Sequence, residues 1–220
     1  MKRVSSGVEG LDQVLDGGLP EGSVTLLTGG PGTGKTTFCC QFAAEALENG
    51  RDCVYISTEE RPEDIKTDAR QFGINFDELS GALRIPYILP SDDVEHEINQ
   101  LLRGEDCDRV VLDSLSVLSM FYKDSGNTRM RLNNTINQLR KSDATVLVTA
   151  ELGSQEGMLT REGVAEYIAD GVIKMQGFAL GESYLRSAQV VKMRRTQIDG
   201  DVLDVNINGN GLSVEKDEDF

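Results

Sequence analysis

The run Gly29-Gly30-Pro31-Gly32-Thr33-Gly34-Lys35-Thr36-Thr37 is a glycine-rich turn ending in a lysine and two hydroxyls. Glycines let backbone N–H groups turn inward and approach an anion with no Cβ in the way. The N-terminus of the helix that follows adds partial positive charge at the same point. These residue types at this spacing suit a nucleoside triphosphate. The turn takes the phosphates, Lys35 reaches the β- and γ-phosphates, and the Thr36 hydroxyl ligates Mg²⁺. Asp113 closes an apolar strand, where a carboxylate can hold the same Mg²⁺ or its water; capping the next helix is its other reading. Glu59 and Glu60 end another strand at its carboxyl end, where ligands of open α/β sheets bind. A carboxylate there can polarise the water that attacks the γ-phosphate, although two adjacent acids also suit a plain solvated surface. Thr149 and Glu151 end a further strand, as γ-phosphate sensors or as an ordinary exit into a loop. Lys192, Arg194 and Arg195 cluster near the C-terminus, as a salt-bridge face or as cations reaching a neighbouring subunit's phosphate.

The elements that would position these groups alternate along the chain. Val24–Leu27 reads as a buried strand before the glycine turn, and Phe38, Phe42, Ala43, Ala46 and Leu47 recur at helical spacing after it, up to Asn49-Gly50. Val54–Ser57 is a second strand and Pro62–Phe72 a helix with Pro62 in its first turn. Leu83–Tyr87 suits a sheet edge, since Pro86 cannot sit in a central strand. Asp92 or Asp93 caps a helix that runs to Leu102 and stops at Gly104. Val110–Leu112 and Thr145–Val148 are further central strands, with a helix over Met130–Leu139 that turns Leu132, Ile136 and Leu139 to one face. Such alternation predicts a parallel sheet with crossover helices. From Asp170 onward the strands Val172–Met175, Ala188–Met193, Val202–Val205 and Leu212–Val214 follow one another through short turns, with Asp199-Gly200 and Asn208–Gly211 as turn signals. That predicts an antiparallel extension. Residues 1–214 read as a single domain, and 215–220 as an acidic, disordered tail.

The chain is 220 residues with a net charge of −15, from 37 acidic and 22 basic residues. A surface this acidic repels nucleic acid and anionic membrane, and it fits a salty cytoplasm of the halophilic kind. Cys39, Cys40, Cys53 and Cys107 show no CxxC spacing and read as small buried hydrophobes of a reducing compartment. His96 is the only histidine, which excludes histidine-cluster metal sites. No apolar run approaches the ~20 residues of a membrane span, so the protein is expected in the cytoplasm.

With these residues in view, the chain resembles the KaiC-like group of RecA-superfamily ATPases over nearly its whole length. The similarity rests on Ser5-Ser6-Gly7-Val8 with Gly10-Leu11-Asp12, on Gly17-Gly18-Leu19-Pro20-Glu21-Gly22-Ser23, and on the P-loop. It rests also on Glu59-Glu60 as a catalytic glutamate pair, Leu112–Ser116 as a Walker B segment and Lys192-Met193-Arg194 as a trans-acting Lys-x-Arg. It implies an α/β fold with a RecA-like P-loop NTPase core: a largely parallel central sheet flanked by helices, with antiparallel C-terminal strands. It also implies ATP and Mg²⁺ as ligands, bound between subunits of a homo-oligomeric ring, usually a hexamer, with Lys192 and Arg194 serving the neighbour's nucleotide. A regulatory or signalling ATPase with protein partners is the leading reading. A recombinase-type DNA-binding ATPase competes with it, but the loop Gly153–Glu162 carries Glu156 and Glu162 against Arg161 alone, a poor match for phosphate neutralisation. A small-molecule phosphotransferase would need a lid, and no segment reads as one. Against the clock protein's two such domains this chain is expected to carry one, and it has Arg195 where the family often has Gly and Glu166-Tyr167 in place of the autophosphorylated Ser-Thr pair.

Overall fold

The structure is a computed structural model that describes residues 1–104, 107–122, 125–155, 157–181 and 183–216. Its elements run β1 (Arg3–Val4), α1 (Leu11–Val14), β2 (Leu19–Pro20), β3 (Val24–Gly29), α2 (Lys35–Glu48), β4 (Cys53–Ser57) and α3 (Pro62–Gln71). A 3₁₀ turn (Phe76–Glu78), β5 (Leu83–Arg84), α4 (Val94–Leu102), β6 (Arg109–Asp113), α5 (Leu115–Phe121), α6 (Ser125–Arg140) and β7 (Thr145–Ala150) follow. The chain ends in α7 (Ala165–Ile168), β8 (Gly171–Leu180), β9 (Ser183–Met193), β10 (Val202–Asn208) and β11 (Gly211–Lys216).

A nine-stranded sheet carries the fold, in the order β11-β10-β9-β8-β3-β7-β6-β4-β5. From β8 to β5 every pair is parallel, and β8, β9, β10 and β11 pair antiparallel. Alternate residues of the parallel strands enter two different cores. Leu27, Tyr55, Val111 and Leu147 pack under α2 with Cys39 and Phe42. Leu26, Val54, Ile56, Val110, Leu112, Val146 and Val148 pack on the opposite face with Leu132, Ile136 and Leu139 of α6. Near-continuous apolar runs are what strands buried on both faces require. All four cysteines are buried and none forms a disulfide, and among the described residues no helix is long and apolar enough to cross a membrane.

The α/β architecture and its antiparallel edge agree with the sequence. Four local expectations differ. Only Leu83 and Arg84 form the edge strand; Pro86 ends it, and Tyr87 makes an isolated bridge to Ser57. Asp93 occupies the N-cap of α4 without a side-chain capping bond, and Asp92 is drawn instead to Arg131 at 3.0 Å. β8 and β9 form a hairpin that extends well beyond the predicted Val172–Met175 and Ala188–Met193. A Cβ on Gly177 would lie 2.0 Å from the Tyr184 hydroxyl, which crosses over it. Glu215 and Lys216 belong to β11 and so are not part of a disordered tail; 217–220, like Glu156, lie outside the described residues.

Candidate functional site

The glycine turn lies between β3 and α2, at the carboxyl edge of the parallel strands. Its glycines have separate physical reasons. Gly34, the N-cap of α2, has φ 101°, and a Cβ there would approach Ile207 Cδ1 to 2.8 Å. Gly30 and Gly32 have open space where a Cβ would stand, so backbone can be approached there at close range. Lys35 Nζ donates to the carbonyls of Gly29 and Gly30, both at 2.9 Å, which holds the ammonium against the turn. Thr33 is also committed to the turn, donating to the Gly30 carbonyl at 2.8 Å. Thr36 and Thr37 open a cleft of about 190 Å³ floored by Cys40 and walled by Asp68, Ala69, Gln71 and Phe72.

Asp113 reaches this turn from the end of β6. Thr36 Oγ1 donates to its Oδ2 at 3.3 Å, and Tyr55 Oη donates to the same oxygen at 2.7 Å. Thr149 Oγ1 donates to Oδ1 at 2.5 Å. The capping alternative fails, because Ser114 is the N-cap of α5 and the Asp113 carboxylate is engaged by α2, β4 and β7. Thr149 therefore faces the aspartate, while Glu151 pairs loosely with Arg161 at 3.6 Å. Tyr55 is fully buried, and burial followed by the Asp113 charge pushes its phenol well above the usual value, so it acts as a donor.

The glutamate pair is positioned by two loop ends stitched together. Thr58 N–H donates to the Asp113 carbonyl, Ser114 N–H donates to Thr58 Oγ1, and Thr58 Oγ1 donates to the Ser114 carbonyl, at 2.8, 2.9 and 2.9 Å. Glu59 accepts from the Ser114 hydroxyl. Glu60 has one carboxylate oxygen buried without a hydrogen-bond partner. Burial, then the charges of Asp113, Asp68, Glu59 and Asp64, raise its carboxyl above the usual range. A raised carboxyl with one buried oxygen left without a hydrogen bond is suited to accept a proton.

Lys35, Thr36, Asp113, Glu59 and Glu60 are thus brought to one edge of the sheet. Lys192 and Arg194 are not. They flank Met193, which pairs with Gly171 at the amino edge. The six residues of β3 separate the two edges, roughly 17 Å at about 3.3 Å per step. Lys192 Nζ donates to the carbonyls of Glu166 and Ala169, and Arg194 pairs with Asp170 at 3.1 Å. Burial and then Arg194 lower the Lys192 ammonium from its usual value. Arg195 has φ 61°, in the left-handed region that favours glycine, so a glycine would sit there with less backbone strain. A residue that the sequence pattern did not single out also reaches the turn: Arg186 of β9 donates to the Gly32 carbonyl at 3.0 Å. Nothing in local spacing links positions so far apart in the chain. Tyr55 was equally hidden, reading only as one apolar residue of its strand.

Comparison with known proteins agrees with this fold. A family profile described as "ATPase: KaiC" matches residues 4–219. The circadian clock protein KaiC3 of Synechocystis sp. is 28% identical over 211 residues, which cover 89% of this chain and 42% of that protein. The chain thus spans about two fifths of the length of the clock proteins it matches. The UPF0273 protein MK0039 of Methanopyrus kandleri is 30% identical over 242 residues, covering 100% of this chain and 94% of that one. Among solved structures, the KaiC-like protein PH0186 from Pyrococcus horikoshii OT3 superposes with a TM-score of 0.85 at 31% identity, over 97% of this chain and 99% of that chain.

Proposed function

Because this chain belongs to the KaiC ATPase family, we propose that it binds ATP with Mg²⁺ at residues 29–37 and hydrolyses it as a subunit of a regulatory ring. One observation carries the reading: the Thr36 hydroxyl and the Asp113 carboxylate meet at 3.3 Å beside the phosphate turn. Among the described residues no three His, Cys, Asp or Glu side chains converge as a protein-only metal cage. A site of one hydroxyl and one carboxylate fits Mg²⁺, which keeps several waters and takes its remaining ligands from substrate phosphates. When bound, the ion would neutralise charge developing on the transferred phosphoryl group. Lys35 uses two of its three N–H donors on the turn, leaving one for a phosphate oxygen. Glu60, and with it Glu59, would take the proton of the attacking water.

Lys192 and Arg194 lie too far from their own turn to serve it, which supports a role on a neighbour's nucleotide across a homo-oligomeric, probe-testable ring interface. A hexamer is the expected form, with protein partners reading its state. The test pairs turnover with assembly. Lys35→Ala should lose ATP binding, and light scattering should register an oligomer whose stability depends on ATP and Mg²⁺. Wild-type affinity in Lys35→Ala would sink the assignment. Mixing Lys35→Ala with Arg194→Ala subunits should restore part of the activity, since some interfaces then join an intact turn to an intact arginine; a mixture as inactive as its parents, with subunits exchanging freely, would refute the trans role.

A further inference from the structure

Among the described residues Tyr55 is the largest fully buried side chain, and it carries a hydroxyl into a mostly apolar layer. It has no solvent exposure and packs among Leu27, Cys39, Phe42, Val111 and Leu147. Phenylalanine would fill the same space without the cost of taking a hydroxyl out of water, a cost that is offset only when the hydroxyl finds a partner. Here the hydroxyl donates to Asp113 Oδ2 at 2.7 Å. The sheet register makes this reach possible. Tyr55 of β4 lies opposite Val111 of β6, and Ser57 opposite Asp113, so the aspartate stands two residues further along on the same face. Two residues are about 6.6 Å of strand, close to the span of a tyrosine side chain.

The three donors to Asp113 differ in what else they can do. Thr36 is the longest contact, at 3.3 Å, and sits on the turn itself. Thr149 holds the other oxygen. Tyr55 alone rises from beneath, out of the sheet–helix core, with the Cys39 thiol beside it. All three donors are neutral hydroxyls, so they orient the carboxylate without cancelling its charge. We infer that Tyr55 is a positioning residue for the cation site: its hydroxyl holds Asp113 in the orientation that, with Thr36, takes Mg²⁺. The inference rests on the reading of Thr36 and Asp113 as the Mg²⁺ site.

The test measures metal affinity separately from turnover. Binding of a fluorescent ATP analogue is followed in EDTA and along a Mg²⁺ titration, with Mn²⁺ paramagnetic resonance of the nucleotide complex as a direct metal readout. In Tyr55→Phe, affinity in EDTA should stay within about twofold of wild type. The Mg²⁺ midpoint should rise about tenfold, the order expected for one hydrogen bond to a charged group, with Mn²⁺ binding weakened in parallel. Placing 4-aminophenylalanine at position 55 restores a donor at the same place and should bring the midpoint back toward wild type. Phe42→Leu, a purely apolar change in the same layer, should lower the melting temperature and leave the midpoint where it was. An unmoved midpoint in Tyr55→Phe overturns the inference, as does an equal shift in Phe42→Leu or a failure of the amino variant to rescue. Wild-type protein with no nucleotide affinity would instead overturn the underlying ATP reading.

Discussion

Asp113 ends β6 at the carboxyl edge of the sheet, and Asp170 precedes β8 at the amino edge. Each accepts three hydrogen bonds through two oxygens. Asp113 takes them from Thr36, Tyr55 and Thr149, all neutral. Asp170 takes one from the Val24 N–H and two from Arg140 and Arg194, each at 3.1 Å. Burial raises the Asp170 carboxyl, but the Val24 N–H and the two arginines outweigh it and hold the group below its usual value. One aspartate is oriented by neutral hydroxyls that leave its charge uncancelled. The other is neutralised and ties β3, α6 and the segment after β9 together. Carboxylates at the ends of two strands of one sheet thus differ in whether their donors carry charge.

The largest effect should come from weakening the first of the pair. Asp113→Asn keeps an acceptor for the hydroxyls but removes the charge, so turnover should fall about a hundredfold or more, in line with several kcal/mol supplied by a bound metal, while the melting temperature barely moves. A comparable loss of stability instead would make Asp113 a structural residue like Asp170. Next is Glu60→Gln, which should retain nucleotide binding and slow hydrolysis by about 10²–10⁴, the range of general-base catalysis. A base must be ionised, and the Glu60 carboxyl is raised. Wild-type turnover should therefore decline with falling pH above the ordinary carboxylate range. An acid limb at the usual glutamate value would exclude Glu60 as the base.

Asp170→Asn should act on stability. Arg140 and Arg194 are about one third and one half exposed, so the loss at neutral pH is set at about 1–2 kcal/mol after allowance for solvent screening. A carboxyl lowered on folding stabilises the protein above its unfolded value, about 3.9, and loses that contribution as pH falls through the folded value. The gap in melting temperature between wild type and Asp170→Asn should therefore be full at pH 7 and shrink in acid below pH ~4. A gap independent of pH would mean that packing, not charge, explains it. The smallest effect belongs to Arg195→Gly, beside this second cluster. Relief of the left-handed backbone is worth about 1–2 kcal/mol, less up to ~1 kcal/mol of added unfolded-state entropy. Thermal denaturation should rise by at most a few degrees; a clear drop would show that the Arg195 side chain contributes more than its backbone costs.

Much of the molecule was legible in advance because its signals are local. The glycine turn, the apolar strands and the helical spacing of Phe38, Phe42 and Leu47 each depend on neighbours within a few residues. The sequence pattern predicts Val172–Met175 and Ala188–Met193, whereas the hairpin runs over Gly171–Leu180 and Ser183–Met193, and the close approach of the Tyr184 hydroxyl to Gly177 within it is a cross-strand fact. Capping by Asp92 or Asp93 failed for a similar reason: Arg131, distant in sequence, competes for Asp92.

Residue type and spacing alone determined that a phosphate turn stands between a strand and a helix, that acids end two further strands, and that a basic cluster follows in the antiparallel region. Which of those groups meet was a matter of strand order. β6 and β4 had to lie beside each other for Tyr55 to reach Asp113, and β7 beside β6 for Thr149 to do so. The same order sends Lys192 and Arg194 to the far edge and brings Arg186 to the turn. Chain-distant contacts of this kind leave no periodicity in the sequence, because a hydrogen bond between strands depends on register and pleat, and these exist only once the sheet has formed.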